Sequence, residues 1–176
     1  MLPLTVPGSA LRAQDAGAYA SASVAHAATD GSELGDFDGD SGHLQLRLGY
    51  AFNRYLAIEA EGSLAVLKPE LHDPSEGSRL ILDRYAAAFA VARLPVGDRV
   101  TLHARGGYYI GTVPLEAKGA RETENFDDFA YGLGLSYHWD RNAIRADYTA
   151  LTGSLDDDQG PKLDHRLIGI AFVRSF

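Results

Sequence analysis

The sequence predicts an all-β fold, eight antiparallel strands wound up and down into a closed barrel, and three observations carry that expectation. Segments of about ten residues alternate apolar with polar or small side chains at period two, as strands do when one face meets an apolar medium. The connections between these segments alternate strictly between tight turns and long polar stretches. The run from Arg166 to Phe176 is strand-like, with Ile168, Ile170, Phe172 and Phe176 on one face and an aromatic as its last residue. Composition agrees, because 19 Gly, nine Tyr and seven Phe against a single Met in 176 residues favour strands and turns over helices.

The elements follow in order. A weaker first strand is expected near Ala16 to Ala27. In the second, Leu44, Leu46, Leu48, Tyr50 and Phe52 oppose His43, Gln45, Arg47, Gly49 and Ala51. In the third, Leu56, Ile58, Ala60, Gly62 and Leu64 oppose Ala57, Glu59, Glu61 and Ser63. The fourth reads with Tyr85, Ala87, Phe89 and Val91 as its apolar face and Arg84, Ala86, Ala88 and Ala90 as its polar or small one. The fifth sets Val100, Leu102, Ala104, Gly106, Tyr108 and Ile110 against Thr101, His103, Arg105, Gly107 and Tyr109. The sixth sets Phe129, Tyr131, Leu133, Leu135 and Tyr137 against Ala130, Gly132, Gly134, Ser136 and His138. In the seventh, Ile144, Ala146 and Tyr148 oppose Arg145, Asp147 and Thr149, and the C-terminal run is the eighth. Asn53-Arg54, Leu94 to Arg99 and Trp139 to Asn142 are the tight turns, whereas Ala28 to Ser41, Val66 to Arg79, Thr112 to Asn125 and Thr152 to Pro161 are long and polar.

Periodicity does not say which face is inside. A soluble barrel that holds a ligand turns its apolar face inward, and a membrane barrel turns it out. Charge separates the two. Arg47, Glu59, Glu61, Arg84, Arg105, Arg145 and Asp147 share the polar faces, which suits a polar lumen, and an apolar lumen would have to hold every large side chain of the opposite faces. Tyr50, Phe52, Tyr55, Tyr137 and Trp139 cluster by the short turns, where an interfacial aromatic girdle belongs. The fold expected is therefore a transmembrane β-barrel with short periplasmic turns and long extracellular loops. No apolar run approaches the roughly 18 residues of a spanning helix, and strands of about 9 to 11 residues suffice to cross.

Residues 15–176 are read as one barrel domain, and residues 1–14 as a leader or signal-peptide remnant, with a cleavage-like Ala13-Gln14. The absence of cysteine removes disulfides, thiolate metal sites and cysteine nucleophiles. A net charge of −8 argues against nucleic acid as a partner.

Gly49-Tyr50-Ala51-Phe52-Asn53-Arg54-Tyr55-Leu56-Ala57-Ile58-Glu59, Gly106-Gly107-Tyr108, Tyr131-Gly132-Leu133-Gly134-Leu135-Ser136-Tyr137, Arg145-Ala146-Asp147-Tyr148 and the terminal Phe176 carry a resemblance. Together they resemble the small eight-stranded outer-membrane barrels of the OmpA-like and opacity type. The resemblance implies a place in the bacterial outer membrane among lipid and lipopolysaccharide, and assembly by the barrel-assembly machinery through a signal formed by Ile170, Phe172 and Phe176. OmpA itself carries a peptidoglycan-binding domain after its barrel, and that tethering role is not carried over.

The main constellation is the set of expected lumen groups, Arg47, Glu59, Glu61, Arg84, His103, Arg105, His138, Arg145 and Asp147. Their charges nearly balance, as a buried network requires. A salt-bridged plug is the expected role, and a narrow gated channel the alternative, favoured if the small inward residues read for the fourth and sixth strands leave a wet gap. Asp36, Asp38 and Asp40 alternate as oxygen ligands do in calcium loops, but the sixth position is not glycine and the twelfth is Arg47. A looser divalent site with Asp156, Asp157 and Asp158, or cations bridging acidic loops to lipopolysaccharide phosphates, is the weaker expectation that remains. His165 beside Asp164, with Ser154 or Ser78, is the one set that resembles a hydrolytic centre, and its spacing is not diagnostic. No enzyme activity and no cofactor are expected. The function expected is structural or surface-interactive: envelope integrity, adhesion, or a host or surface ligand at the acidic loops. A soluble ligand-binding barrel is the remaining alternative.

Overall fold

A computed structural model describes residues 16–31, 37–67, 83–117, 120–154 and 162–176. Among these residues there are eight strands and no helix: β1 (Gly17–Gly31), β2 (Phe37–Ala51), β3 (Leu56–Leu67), β4 (Arg84–Val96), β5 (Val100–Ala117), β6 (Ala120–Trp139), β7 (Asn142–Ser154) and β8 (Lys162–Ser175). Each strand pairs antiparallel with its neighbours in sequence, and β1 pairs with β8, from Tyr19 opposite Ser175 to Asp30 opposite Asp164. No strand is left with an open edge, which is the condition for backbone to sit in a hydrocarbon layer.

The short connections 52–55, 97–99 and 140–141 lie at the end where β1 begins and β8 finishes. Local chemistry closes them. Asn53 accepts from the amides of Tyr55 and Leu56 at 2.7 and 2.9 Å, an Asx turn, and Gly97 takes the positive φ of 76° that the β4–β5 turn requires. At the other end the pairing runs on. β1 and β2 stay in register to Gly31 opposite Phe37, and β5 and β6 to Ala117 opposite Ala120. Ala28 to Ser41 and Thr112 to Asn125, expected as loops, are therefore largely strand. Period-two hydrophobicity weakens along these segments of the sequence while backbone pairing continues.

The barrel turns its apolar face outward. Leu46, Leu48, Ile58, Leu133, Ile168 and Ile170 are half or more exposed, while Arg47 is 2% exposed and Glu59 and Glu61 each 3%. This disposition excludes a soluble barrel with an apolar lumen.

The fourth strand is inverted relative to the expectation. Tyr85, Ala87, Phe89 and Val91 are buried in the lumen, and Arg84, Ala86, Ala88 and Ala90 face outward. Two packing causes decide it. Inside, Phe89 takes up interior volume with the Arg105 guanidinium 4.4 Å from its ring centre, and the Tyr85 hydroxyl donates to Glu61. An alanine stripe, in turn, is acceptable to lipid, and Arg84 sits at the strand's end. With aromatics inside, the wet gap expected along the fourth strand is filled.

Candidate functional site

The lumen groups come from strands that tilt around a barrel just wide enough for side chains to fill. Register sets the first pair, Arg47 of β2 directly opposite Glu61 of β3. The Arg47 Nε donates to Glu61 at 2.7 Å, and its Nη1 crosses the lumen to Asp147 of β7 at 3.1 Å. Arg105 of β5 reaches the same Glu61 oxygen at 2.6 Å and also donates to Thr149. Arg145 of β7 donates to Asp147 at 2.7 Å and to Glu59 at 2.5 Å. Three arginines and three carboxylates thus form one neutral layer across the barrel, with every member 7% exposed or less.

Neutral groups add further donors, although Glu59 Oε2 has no hydrogen-bond donor among the described residues and only the arginine charges near it. The Tyr19 hydroxyl donates to Glu59 at 2.8 Å and the Tyr85 hydroxyl to Glu61 at 2.5 Å. Gln45 donates to Tyr85 at 2.7 Å and accepts from Ser23 at 2.9 Å. Buried carboxylates need such additional donors, since charge pairing alone rarely offsets their desolvation. Toward the long-hairpin end the interior becomes less polar. Tyr85 and Tyr109 meet edge to face with centroids 6.3 Å apart, Leu151 and Leu167 are fully buried, and His43 lies between Ser41 and Ser63 at 3.0 Å from each.

Six of the expected lumen residues meet in this layer: Arg47, Glu59, Glu61, Arg105, Arg145 and Asp147. Arg84 does not, because the inversion of β4 places it on the outer wall. His103 and His138 sit below the layer at the short-turn end, where His103 shares a hydrogen bond of 2.9 Å with Ser136. Tyr19, Tyr85, Gln45 and Thr149 were missed as partners, and Phe89 and Arg93 were missed as lumen groups. A signal for β4 was present: Tyr85, Phe89 and Arg93 share one parity, so an arginine stands on each face, and Arg84 alone does not mark the polar side.

His165 is fully buried inside the barrel, away from the lipid edge where a hydrolytic barrel would need its base, and Ser78 lies outside the described residues. Of the metal candidates, Asp36, Asp156, Asp157 and Asp158 lie outside the described residues. Asp38 and Asp40 are strand residues of β2, opposite Asp30 and Ala28. Among the described residues no group of three His, Cys, Asp or Glu is placed to hold a metal. Ile170 and Phe172 face outward on β8, Phe172 with its ring centre 6.3 Å from that of Trp139, and the Phe176 amide donates to the Ala18 carbonyl at 3.1 Å across the closing seam.

Comparison with known structures finds the same architecture. Neisserial surface protein A superimposes with a TM-score of 0.73 at 15% identity, over 91% of this chain and 97% of that one. Ail, the attachment invasion locus protein of Yersinia pestis, in complex with the heparin analogue sucrose octasulfate, gives 0.59 at 15% identity over 90% and 99%. OprG from Pseudomonas aeruginosa gives 0.56 at 13% identity over 92% and 97%. At these identities the likeness concerns the fold. No curated protein matches the sequence significantly. The sequence profile of the outer membrane protein beta-barrel domain matches residues 2–176. With its closed eight-stranded barrel, outward apolar belt and charged interior, the chain belongs to the outer membrane protein beta-barrel domain family of the bacterial outer membrane.

Proposed function

We propose that this protein is a closed, non-enzymatic barrel that presents acidic hairpins at the cell surface, in a structural or adhesive role. The observation that carries the reading is the neutral layer of Arg47, Arg105 and Arg145 with Glu59, Glu61 and Asp147, which spans the lumen and leaves no carboxylate of the layer without an arginine. A current would have to break several buried pairs at once, each costly to open. Planar-bilayer recording of the refolded chain should therefore show no steady conductance. A stable, ohmic step at moderate voltage would favour the narrow channel instead.

The surface role rests on charge placement. Segments 28–41, 66–79, 112–125 and 152–161 hold fourteen of the 24 acidic residues and four of the 16 Lys and Arg. A sulfated polyanion of the kind bound to Ail suits such hairpins poorly, and a cationic surface or a divalent bridge to lipopolysaccharide phosphate suits them well. Cells bearing the chain should adhere to polylysine-coated glass more strongly than cells bearing a variant with the acids of 28–41 replaced by their amides. Equal adherence would remove this role. Ile170, Phe172 and Phe176, outward on or just beyond the closing strand, would serve as the assembly signal.

A further inference from the structure

Below the ion-pair layer, at the short-turn end, the lumen opens into a cavity of about 290 Å³, near the lower bound of roughly 300 Å³ for small-ligand pockets. Arg145 lines its upper part, with its guanidinium already committed to Glu59 and Asp147. One wall is cationic. Arg93 of β4 stands directly opposite His103 of β5, and His138 of β6 follows, with Arg99 and Arg141 at the rim on the adjoining turns. The facing wall is Tyr19, Val173 and Ser175.

This wall is short of counter-charge. Asp98 and Asp140 on the turns are the acids that line the cavity, and among the described residues no carboxylate lies within ion-pair distance of Arg93, Arg99 or Arg141. The Nη1 of Arg93 and the Nε2 of His138 are buried with no hydrogen-bond partner among the described residues. Buried donors without acceptors are rare in native proteins, so each of these calls for a water, an ion or a ligand to accept from it.

We propose that this cavity is an oxyanion site, entered from the short-turn end, for a phosphate monoester or the phosphate of a lipid headgroup. Guanidinium groups match phosphate with paired N–H donors, and an imidazole carrying its proton on Nε2 adds another. A bound phosphate satisfies Arg93 and His138 together, while Arg99 and Arg141 attract it at the mouth. The ion-pair layer closes the far side, so the site holds an anion and does not conduct it. Soluble glycerol phosphate and an anionic phospholipid share this chemistry and differ in source.

The test uses the full chain, folded, with nitrogen NMR of the arginine Nε and histidine ring signals. Titration with glycerol phosphate in a zwitterionic detergent should give saturable shifts at Arg93 and His138. Arg93→Gln should weaken the response about tenfold, the loss of one charge-assisted hydrogen bond. Arg141→Gln, on an exposed turn, should weaken it several-fold even if the Arg93 variant fails to fold, and Arg54→Gln, outside the cavity, should leave it unchanged. In nanodiscs, a response that requires phosphatidylglycerol in place of phosphatidylcholine assigns the site to a lipid headgroup, and a response to glycerol phosphate in phosphatidylcholine assigns it to a soluble ester. No shift in either arm, or Arg93→Gln and Arg141→Gln variants that respond as strongly as the unaltered chain, overturns the proposal.

Discussion

Glu59 is held by more groups than any single pairing would suggest. It accepts from Arg145 at 2.5 Å and from Tyr19 at 2.8 Å, with Arg47 and Arg105 each 3.7 Å away. Glu59→Ala strips Arg145 of one of its two acids in the buried layer, and the expected loss is about 3 to 5 kcal/mol. Urea titration in detergent, read by heat-modifiable gel mobility, should show the midpoint fall accordingly. An unchanged midpoint would mean that water fills the layer. Gly49 has its own constraint, because an added Cβ would lie 2.2 Å from the Tyr19 ring. Its lack of a side chain is what lets that tyrosine lie against β2 and reach Glu59. Phe89 makes the sharpest test of the inverted strand. Facing inward under Arg105, it leaves a cavity when truncated, and Phe89→Ala should cost about 3 to 5 kcal/mol. Leu133→Ala on the outer wall should cost less, since acyl chains or detergent refill the space. Equal costs would place Phe89 in lipid. The six charges of the central layer were legible in sequence because a charge in period with apolar neighbours has few places to go in a membrane. Phe89 was not legible, since an aromatic is acceptable on either side of the wall and only the volume inside settles its direction.

The long β5–β6 hairpin divides into a spanning part and a protruding part. Thr112 pairs with Asn125, and beyond them the ladder continues to Ala117 opposite Ala120. All six charged members of the lumen layer belong to other strands or to β5 below that level, Arg105 included. Replacing residues 113–124 with Asn-Gly, the dipeptide that best closes a two-residue hairpin, should therefore leave a folded barrel with its gel shift intact. Failure to fold would show that the protrusion nucleates the pairing of β5 with β6. This element also shows where sequence reading stops. Alternation reports a difference in medium between the two faces of a strand, so the belt within the membrane was legible strand by strand. Above the belt the β6 arm, Arg121-Glu122-Thr123-Glu124-Asn125, is polar at both parities, so no such contrast exists there and its backbone pairing leaves no trace in hydrophobicity. The closing strand was legible for the opposite reason: Ile168, Ile170 and Phe172 meet lipid at successive outward positions.

At the scale of the whole molecule, the described residues of the two ends carry opposite charge. The short-turn end presents Arg54, Arg99, Arg141 and Arg174, with Asp98 and Asp140 as the acids on its described turns, whereas the hairpin end is dominated by acids. The barrel wall gives no sign of which end faces outward, since an apolar belt is the same from either side. Length and polarity do: long charged hairpins are the segments suited to the exterior, and three turns of two to four residues are suited to the narrow periplasmic side. The chain holds no cysteine, so a single introduced thiol reports its own location without background. On intact cells, a membrane-impermeant maleimide should label Ser75→Cys in the second long segment and spare Arg54→Cys on the first short turn. After the outer membrane is permeabilised, both should label. The reverse pattern would put the acidic hairpins in the periplasm and make the cavity around Arg93 and His138 open to the medium, which would remove the adhesive role and leave an inner-leaflet headgroup without access to the phosphate site.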